Sequence, residues 1–76
     1  MLKHIIEYVV KSLVDSPQAV IVTITQADGK DIFEIRVDNQ DIGKVIGKEG
    51  QTIRALRMLV NALNSTNNEV EITIAK

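Results

Sequence analysis

Cysteine and tryptophan are absent from this 76-residue chain, and proline, histidine, tyrosine and phenylalanine occur once each. Without cysteine there is neither a disulfide framework nor a thiolate zinc site, and a reducing cytosol is the natural compartment. The single histidine, His4, falls in the first turn of a candidate helix and has no Cys or second His to join it in a nucleophile-base pair or a metal site. The carboxylates are scattered, and Asp28 with Asp31 reads as a turn rather than an acid-base pair. Catalysis, metal and cofactor are therefore not expected. Surfaces that stack bases on several aromatic rings need more than Tyr8 and Phe33. Phe33 shares a strand face with Ile35 and Val37, and Tyr8 lies on the polar side of its helix. No apolar run reaches the roughly 18 residues of a membrane span, and the charged start Met1-Leu2-Lys3-His4-Ile5-Ile6-Glu7 does not resemble a targeting segment. The formal net charge of -1 argues against bulk electrostatic coating of a polyanion.

What the chain does have is a Gly-x-x-Gly turn, Gly47-Lys48-Glu49-Gly50, set between two apolar, helix-like segments. Gly47 and Gly50 can take positive φ and lack a Cβ, so a phosphodiester backbone can approach the peptide closely there. A P-loop needs four residues between its first Gly and its Gly-Lys, followed by Ser or Thr; Gly43 and Gly47 are separated by three, and Glu49 follows Lys48. The spacing of Gly43, Gly47 and Gly50 also fails the dinucleotide fingerprint.

Hydrophobic periodicity orders the rest. Leu2, Ile5, Ile6, Val9 and Leu13 predict an amphipathic helix over residues 2 to 15, ended by Pro17. Residues 19 to 25, rich in β-branched side chains, predict a largely buried strand. Asp28-Gly29 marks a hairpin, and Phe33, Ile35 and Val37 alternate with Glu34 and Arg36 in a half-exposed strand. Asp38, Asn39 and Asp41 supply N-cap chemistry for a short helix ending at Gly47. A second helix runs from Gln51 to Asn64, with Ile53, Leu56, Val60 and Leu63 as its core stripe. Asn64-Ser65-Thr66-Asn67-Asn68 is a loop, and Val70, Ile72 and Ile74 define a last strand. The length allows one domain, residues 1 to 76, with a single two-layer core.

Charge is uneven along this order. Between Ile42 and Arg57 the charged residues are Lys44, Lys48, Arg54 and Arg57, opposed only by Glu49. Backbone N–H groups of residues 48 to 51, at the start of the second helix after the turn, favour an anion. Lys48 adds a flexible point charge, and Lys44, Arg54 and Arg57 can neutralise neighbouring phosphates. Glu49 offsets Lys48 within the turn itself. That helix also carries more apolar surface than one sheet contact uses: Ala55, Met58, Leu59 and Ala62 widen the arc beyond the core stripe. Either a partner covers them or the first helix does.

The run Ile42-Gly43-x-Val45-Ile46-Gly47-x-x-Gly50-x-x-Ile53, with the flanking pattern, resembles the small stand-alone bacterial KH proteins, the KhpA family. The resemblance covers essentially the whole chain. It implies an α+β fold of type II KH topology, order α-β-β-α-α-β, with a three-stranded mixed sheet and three helices on one of its faces. It implies a single-stranded RNA-binding module, with a bacterial RNA chaperone or post-transcriptional regulator as the expected role in the cytoplasm. The site implied runs from Ile42, Gly43, Lys44 and Ile46 through Gly47, Lys48, Glu49, Gly50 and Gln51 to Ile53, Arg54 and Arg57. Ile42, Ile46 and Ile53, with Val37 or Ile35, would form an aliphatic groove floor; Ile46 reads equally as core. A homodimer, or a heterodimer with a second KH-containing protein, is also implied, and the competing reading is a protein-interaction module whose turn is structural.

Overall fold

The computed structural model describes residues 2–64 and 68–75. Helix α1, Leu2–Leu13, buries Ile6 and Val10 on one side and pairs Lys11 with Glu7 at 3.8 Å on the other. It stops short of residue 15 because the N–H groups of Asp15 and Ser16 are taken by the carboxylate of Asp41, and Pro17 then opens a 3-10 turn over Pro17–Ala19.

Strands β1, Ile21–Ala27, and β2, Lys30–Arg36, pair antiparallel across a two-residue turn in which Asp28 and Gly29 both have positive φ, 52° and 77°. Such a turn matches the right-handed twist of its strands. Strand β3, Glu69–Ile74, lies parallel to β2, so the sheet is mixed, in the order β1-β2-β3. After β2, Asp38 accepts the N–H of Gln40 at 3.0 Å and caps a 3-10 turn, Asn39–Asp41. Helix α2, Ile42–Ile46, the glycine turn and helix α3, Gln51–Leu63, follow. The loop expected after α3 falls partly on residues 65–67, outside the described residues.

One face of the sheet, carrying Val22, Phe33, Ile35, Val70 and Ile72, meets Ile6 and Val10 of α1, Val45 of α2, and Ile53, Leu56 and Val60 of α3 in a single core. The expected α-β-β-α-α-β order, mixed sheet and helical face are all present. The opposite face is polar, with Lys30 donating to Glu71 at 3.2 Å and Arg36 forming an ion pair with Glu34 at 3.5 Å. Among the described residues no helix is long and apolar enough to cross a membrane.

Strand β1 departs from expectation. Its β-branched run predicts a largely buried strand, yet within it only Val22 is buried, and Ile21 and Ile24 are 53% and 47% exposed. A strand at the sheet's margin has a neighbour on one side only, and the helix layer covers its start but not its end. Composition reports β propensity, not position in the sheet.

Candidate nucleic-acid interface

The turn is built from backbone conformations that side chains disfavour. Gly47 has φ 77° and ψ 172°, Gly50 has φ 75° and ψ 14°, and Glu49 between them has φ 55° and ψ 26°. Gly47 is obligatory twice over: a Cβ there would stand 2.2 Å from Thr52 Oγ1 and 2.8 Å from its backbone N. Gly50 would meet nothing within 4 Å, so only its φ favours glycine. The N–H of Gly50 donates to the Gly47 carbonyl at 3.2 Å, and that of Gln51 to the Lys48 carbonyl. The anion-facing donors are therefore fewer than the four expected over residues 48 to 51. Among the described residues no acceptor takes the N–H of Lys48 or Glu49. A non-glycine residue held at positive φ on an exposed turn is strain of the kind that marks functional backbone.

Helix α2 delivers the chain into this turn, and Asp41 holds α2 in place. Its carboxylate, only 2% exposed, accepts the N–H of Asp15 at 3.2 Å and of Ser16 at 3.1 Å, and lies 3.6 Å from the ammonium of Lys44. Lys44 also pairs with Asp15, which raises its pKa despite some desolvation. Asp41 thus does not cap its own helix, as the sequence suggests; it ties the end of α1 to the start of α2. Lys44, expected to face phosphate, is occupied by the two carboxylates. Burial alone would push Asp41 up, but the two backbone donors and Lys44 outweigh it and hold the carboxyl below its ordinary value of 3.8. A depressed folded-state pKa means stabilisation that is complete above the unfolded value and lost as pH falls through the folded one. Thermal melts between pH 7 and pH 2 should show this contribution being lost at acid pH (roughly below pH 4), and Asp41→Asn should melt lower at pH 7 and remove that part of the pH dependence.

Beyond the turn, Lys48, Gln51 and Arg54 are exposed. Arg54, Arg57 and Asn61 recur at helical spacing on one side of α3, where Arg57 donates to the carbonyl of Ile72 at 3.4 Å. Here an open depression is lined by Arg57, Asn61 and residues Val70 to Thr73 of β3. The N–H of Glu69 donates to Gly29 and that of Ala75 to Ile35, so odd-numbered residues of β3 face β2. By alternation Val70, Ile72 and Ile74 turn their backbone donors and acceptors to the edge beside α3, where Arg57 takes the Ile72 carbonyl. Neither that edge nor Asn61 stands out in the sequence as a candidate, although the Arg54-Arg57-Asn61 spacing is a signal for the latter. The groove floor also needs correction. Val37 and Ile35 are buried under the helix layer, and Ile53 is buried with them, whereas Ile42 and Ile46 are half-buried and pack on the core from its margin. Gly43 sits in α2 with nothing within 4 Å of where its Cβ would be. No packing constraint asks for glycine there.

On the flank of α3, Met58 is 68% exposed, and Ala55, Leu59, Ala62 and Leu63 are exposed beside it. Helix α1 does not cover this arc. Leu63, expected in the core stripe, belongs to the exposed set because α3 ends there.

A Gly-x-x-Gly turn joining two helices on a mixed sheet of this order defines a KH domain of type II. The chain belongs to the KhpA/KhpB KH-domain family, whose model matches residues 3–74. It is 35% identical over 75 residues to the RNA-binding protein KhpA of Thermotoga maritima, covering 99% of this chain and all of that one. It is 43% identical over 67 residues to the Chlamydia pneumoniae protein of the same name, 88% and 86% of the two chains. With the Treponema pallidum protein it shares 45% over 62 residues, 82% and 78%. No solved structure matches the chain.

Proposed function

We propose that this protein binds single-stranded RNA at the Gly-x-x-Gly turn and acts in the cytoplasm as an RNA chaperone or post-transcriptional regulator. The observation that carries the reading is the bare backbone of the turn, with the N–H groups of Lys48 and Glu49 unspent and Gly43 keeping the adjoining helix surface free of side chain. Relatives across nearly the full length carry the name RNA-binding protein. In this reading the turn holds phosphates, Lys48, Arg54 and Arg57 neutralise them, and Ile42 and Ile46 pack against base faces. Arg57 and Asn61, exposed beside β3, supply hydrogen bonds to base edges. No group in the site performs chemistry on the RNA, and no cofactor is needed.

Gly43→Ala tests the reading through two effects of opposite sign. Alanine in place of an exposed helical glycine should stabilise the domain by up to about 1 kcal/mol. The same methyl group should weaken RNA binding severalfold, measured by fluorescence anisotropy on a short single strand, because it occupies the surface the backbone must approach. Higher melting temperature with unchanged affinity would mean the RNA does not pass over α2.

The exposed arc of α3 favours a second property on the same chain: association through Ala55, Met58, Leu59 and Ala62, as a homodimer or with another KH-containing protein. Small residues let a second helix approach closely, and Met58 adapts to an irregular contact. Met58→Asp should split such a dimer into folded monomers, since an unpaired charge in an apolar seam costs several kcal/mol. Light scattering that finds the wild type monomeric at high concentration removes the homodimer and leaves the heterologous partner.

A further inference from the structure

At the glycine turn every group but one suits an anion. The N–H groups of Lys48 and Glu49 are unspent, and Lys48 and Arg54 are exposed and paired with no carboxylate among the described residues. The exception is Glu49 itself. The residue is exposed, and no donor or cation among the described residues takes its carboxylate. Its backbone, at φ 55° and ψ 26°, is in the left-handed region that glycine, asparagine and aspartate enter more readily. A negative charge suits the start of α3, but aspartate would supply it with less strain. Neither packing nor backbone conformation asks for glutamate at this position.

An ionised carboxylate only accepts hydrogen bonds. A strand whose phosphates are seated on the turn's N–H groups passes residue 49 with its sugars and phosphates, while its bases lie toward α2 and β3. The backbone of DNA is made of acceptors alone, so Glu49 meets it with repulsion and nothing in return. RNA adds one donor to each nucleotide, the ribose 2′-OH, and this group separates the two polymers for a protein that reads the backbone. Acidic side chains accept it in dinucleotide-binding folds. The sign of Glu49's contribution thus depends on the sugar.

We infer that Glu49 selects ribose over deoxyribose, accepting the 2′-OH of a nucleotide clamped at the turn and repelling the phosphates of a strand that lacks it. Such selection rests on the phosphate path proposed above and gives that path a residue that decides which polymer is held. Lys48 beside it sharpens the effect. The two charges within the turn sum to zero, so its side chains exert no net pull on a deoxyribose strand. The hold on RNA then depends on groups of defined direction, backbone N–H to phosphate and hydroxyl to carboxylate. Discrimination of this kind is a difference of affinities, to which a repulsive element contributes as much as an attractive one. It is independent of the base, and it leaves sequence preference to Arg57 and Asn61.

Fluorescence anisotropy of the full chain at fixed salt tests this on one short sequence made as RNA, as DNA with uracil in place of thymine, and as 2′-O-methyl RNA, whose ether oxygen cannot donate. The wild type should bind RNA at least about tenfold tighter than DNA, and the 2′-O-methyl strand should fall with the DNA. Glu49→Ala should tighten DNA binding severalfold and bring RNA and DNA to within about twofold of each other. Glu49→Gln, uncharged yet still an acceptor, should tighten DNA binding as much and keep part of the RNA preference. Residue 49 is exposed, so these variants fold, as circular dichroism verifies. Equal affinity of the wild type for RNA and DNA, a preference that survives Glu49→Ala, or a 2′-O-methyl strand bound as tightly as RNA overturns the selection and leaves the turn as the binding site. If Gly50→Asp leaves RNA affinity undiminished, the strand does not cross the turn, and the site and the selection fail together.

Discussion

Gly50→Asp should lower affinity for single-stranded RNA by about a hundredfold, roughly 2.7 kcal/mol, while the domain remains folded. Gly50 sits in the left-handed region at φ 75° and ψ 14°, which Asp tolerates better than most side chains, and nothing lies within 4 Å of where its Cβ would be. The cost to the fold is confined to that backbone preference, about 1 kcal/mol. The carboxylate, however, stands at the start of α3 beside the unspent N–H groups of Lys48 and Glu49, where it competes for them and repels phosphate. Fluorescence anisotropy against a short RNA, paired with a thermal melt, separates the two effects. A native melt with undiminished affinity would move the phosphate path away from the turn.

Gly47→Ala should do the reverse and damage the fold itself. At φ 77° and ψ 172° the backbone is in a region that is essentially glycine's alone, and the added methyl would stand 2.2 Å from Thr52 Oγ1, 2.7 Å from Thr52 Cβ and 2.8 Å from Thr52 N. Strain and overpacking together should cost about 3 kcal/mol or more, a large share of the stability of a domain this small. The melting temperature should fall by more than about 10 °C. Thr52→Ala in the same chain should restore little of it, because the clash with the backbone N and the φ penalty remain. Full recovery on trimming Thr52 would show that the turn can relax and that Gly47 is needed only for space. The two glycines of one motif thus have different tasks, so a variant carrying a carboxylate at both confounds lost contact with lost structure. Gly50→Asp alone isolates the contact.

The turn, the element order and the helical stripes are legible because each depends on neighbours in the chain. Gly47 and Gly50 announce positive φ by being glycine, the Asp28-Gly29 pair announces a tight hairpin, and Ile53, Leu56 and Val60 announce a buried face by their spacing alone. The boundaries moved where a distant residue intervened. Helix α1 ends at Leu13 because Asp41, far along the chain, claims the N–H groups of Asp15 and Ser16. Lys44 reads as a phosphate ligand from its place beside the glycine turn, and only the fold brings Asp15 to it.

Ile35 and Val37 show the same division at the groove. Alternation correctly assigns them one face of β2, but whether that face meets solvent, RNA or helices depends on which strand is central. The order β1-β2-β3 puts β2 in the middle beneath the helix layer and leaves β3 to line the open depression beside Arg57 and Asn61. Thus local chemistry in the sequence determined the elements, their order and the position of the glycine turn, since dihedral preference and side-chain period act over a few residues. Which strand became an edge, which lysine was consumed in a structural ion pair and which apolar arc stayed exposed were decided by tertiary packing, because burial and pairing are properties of residues that meet only once the chain has closed.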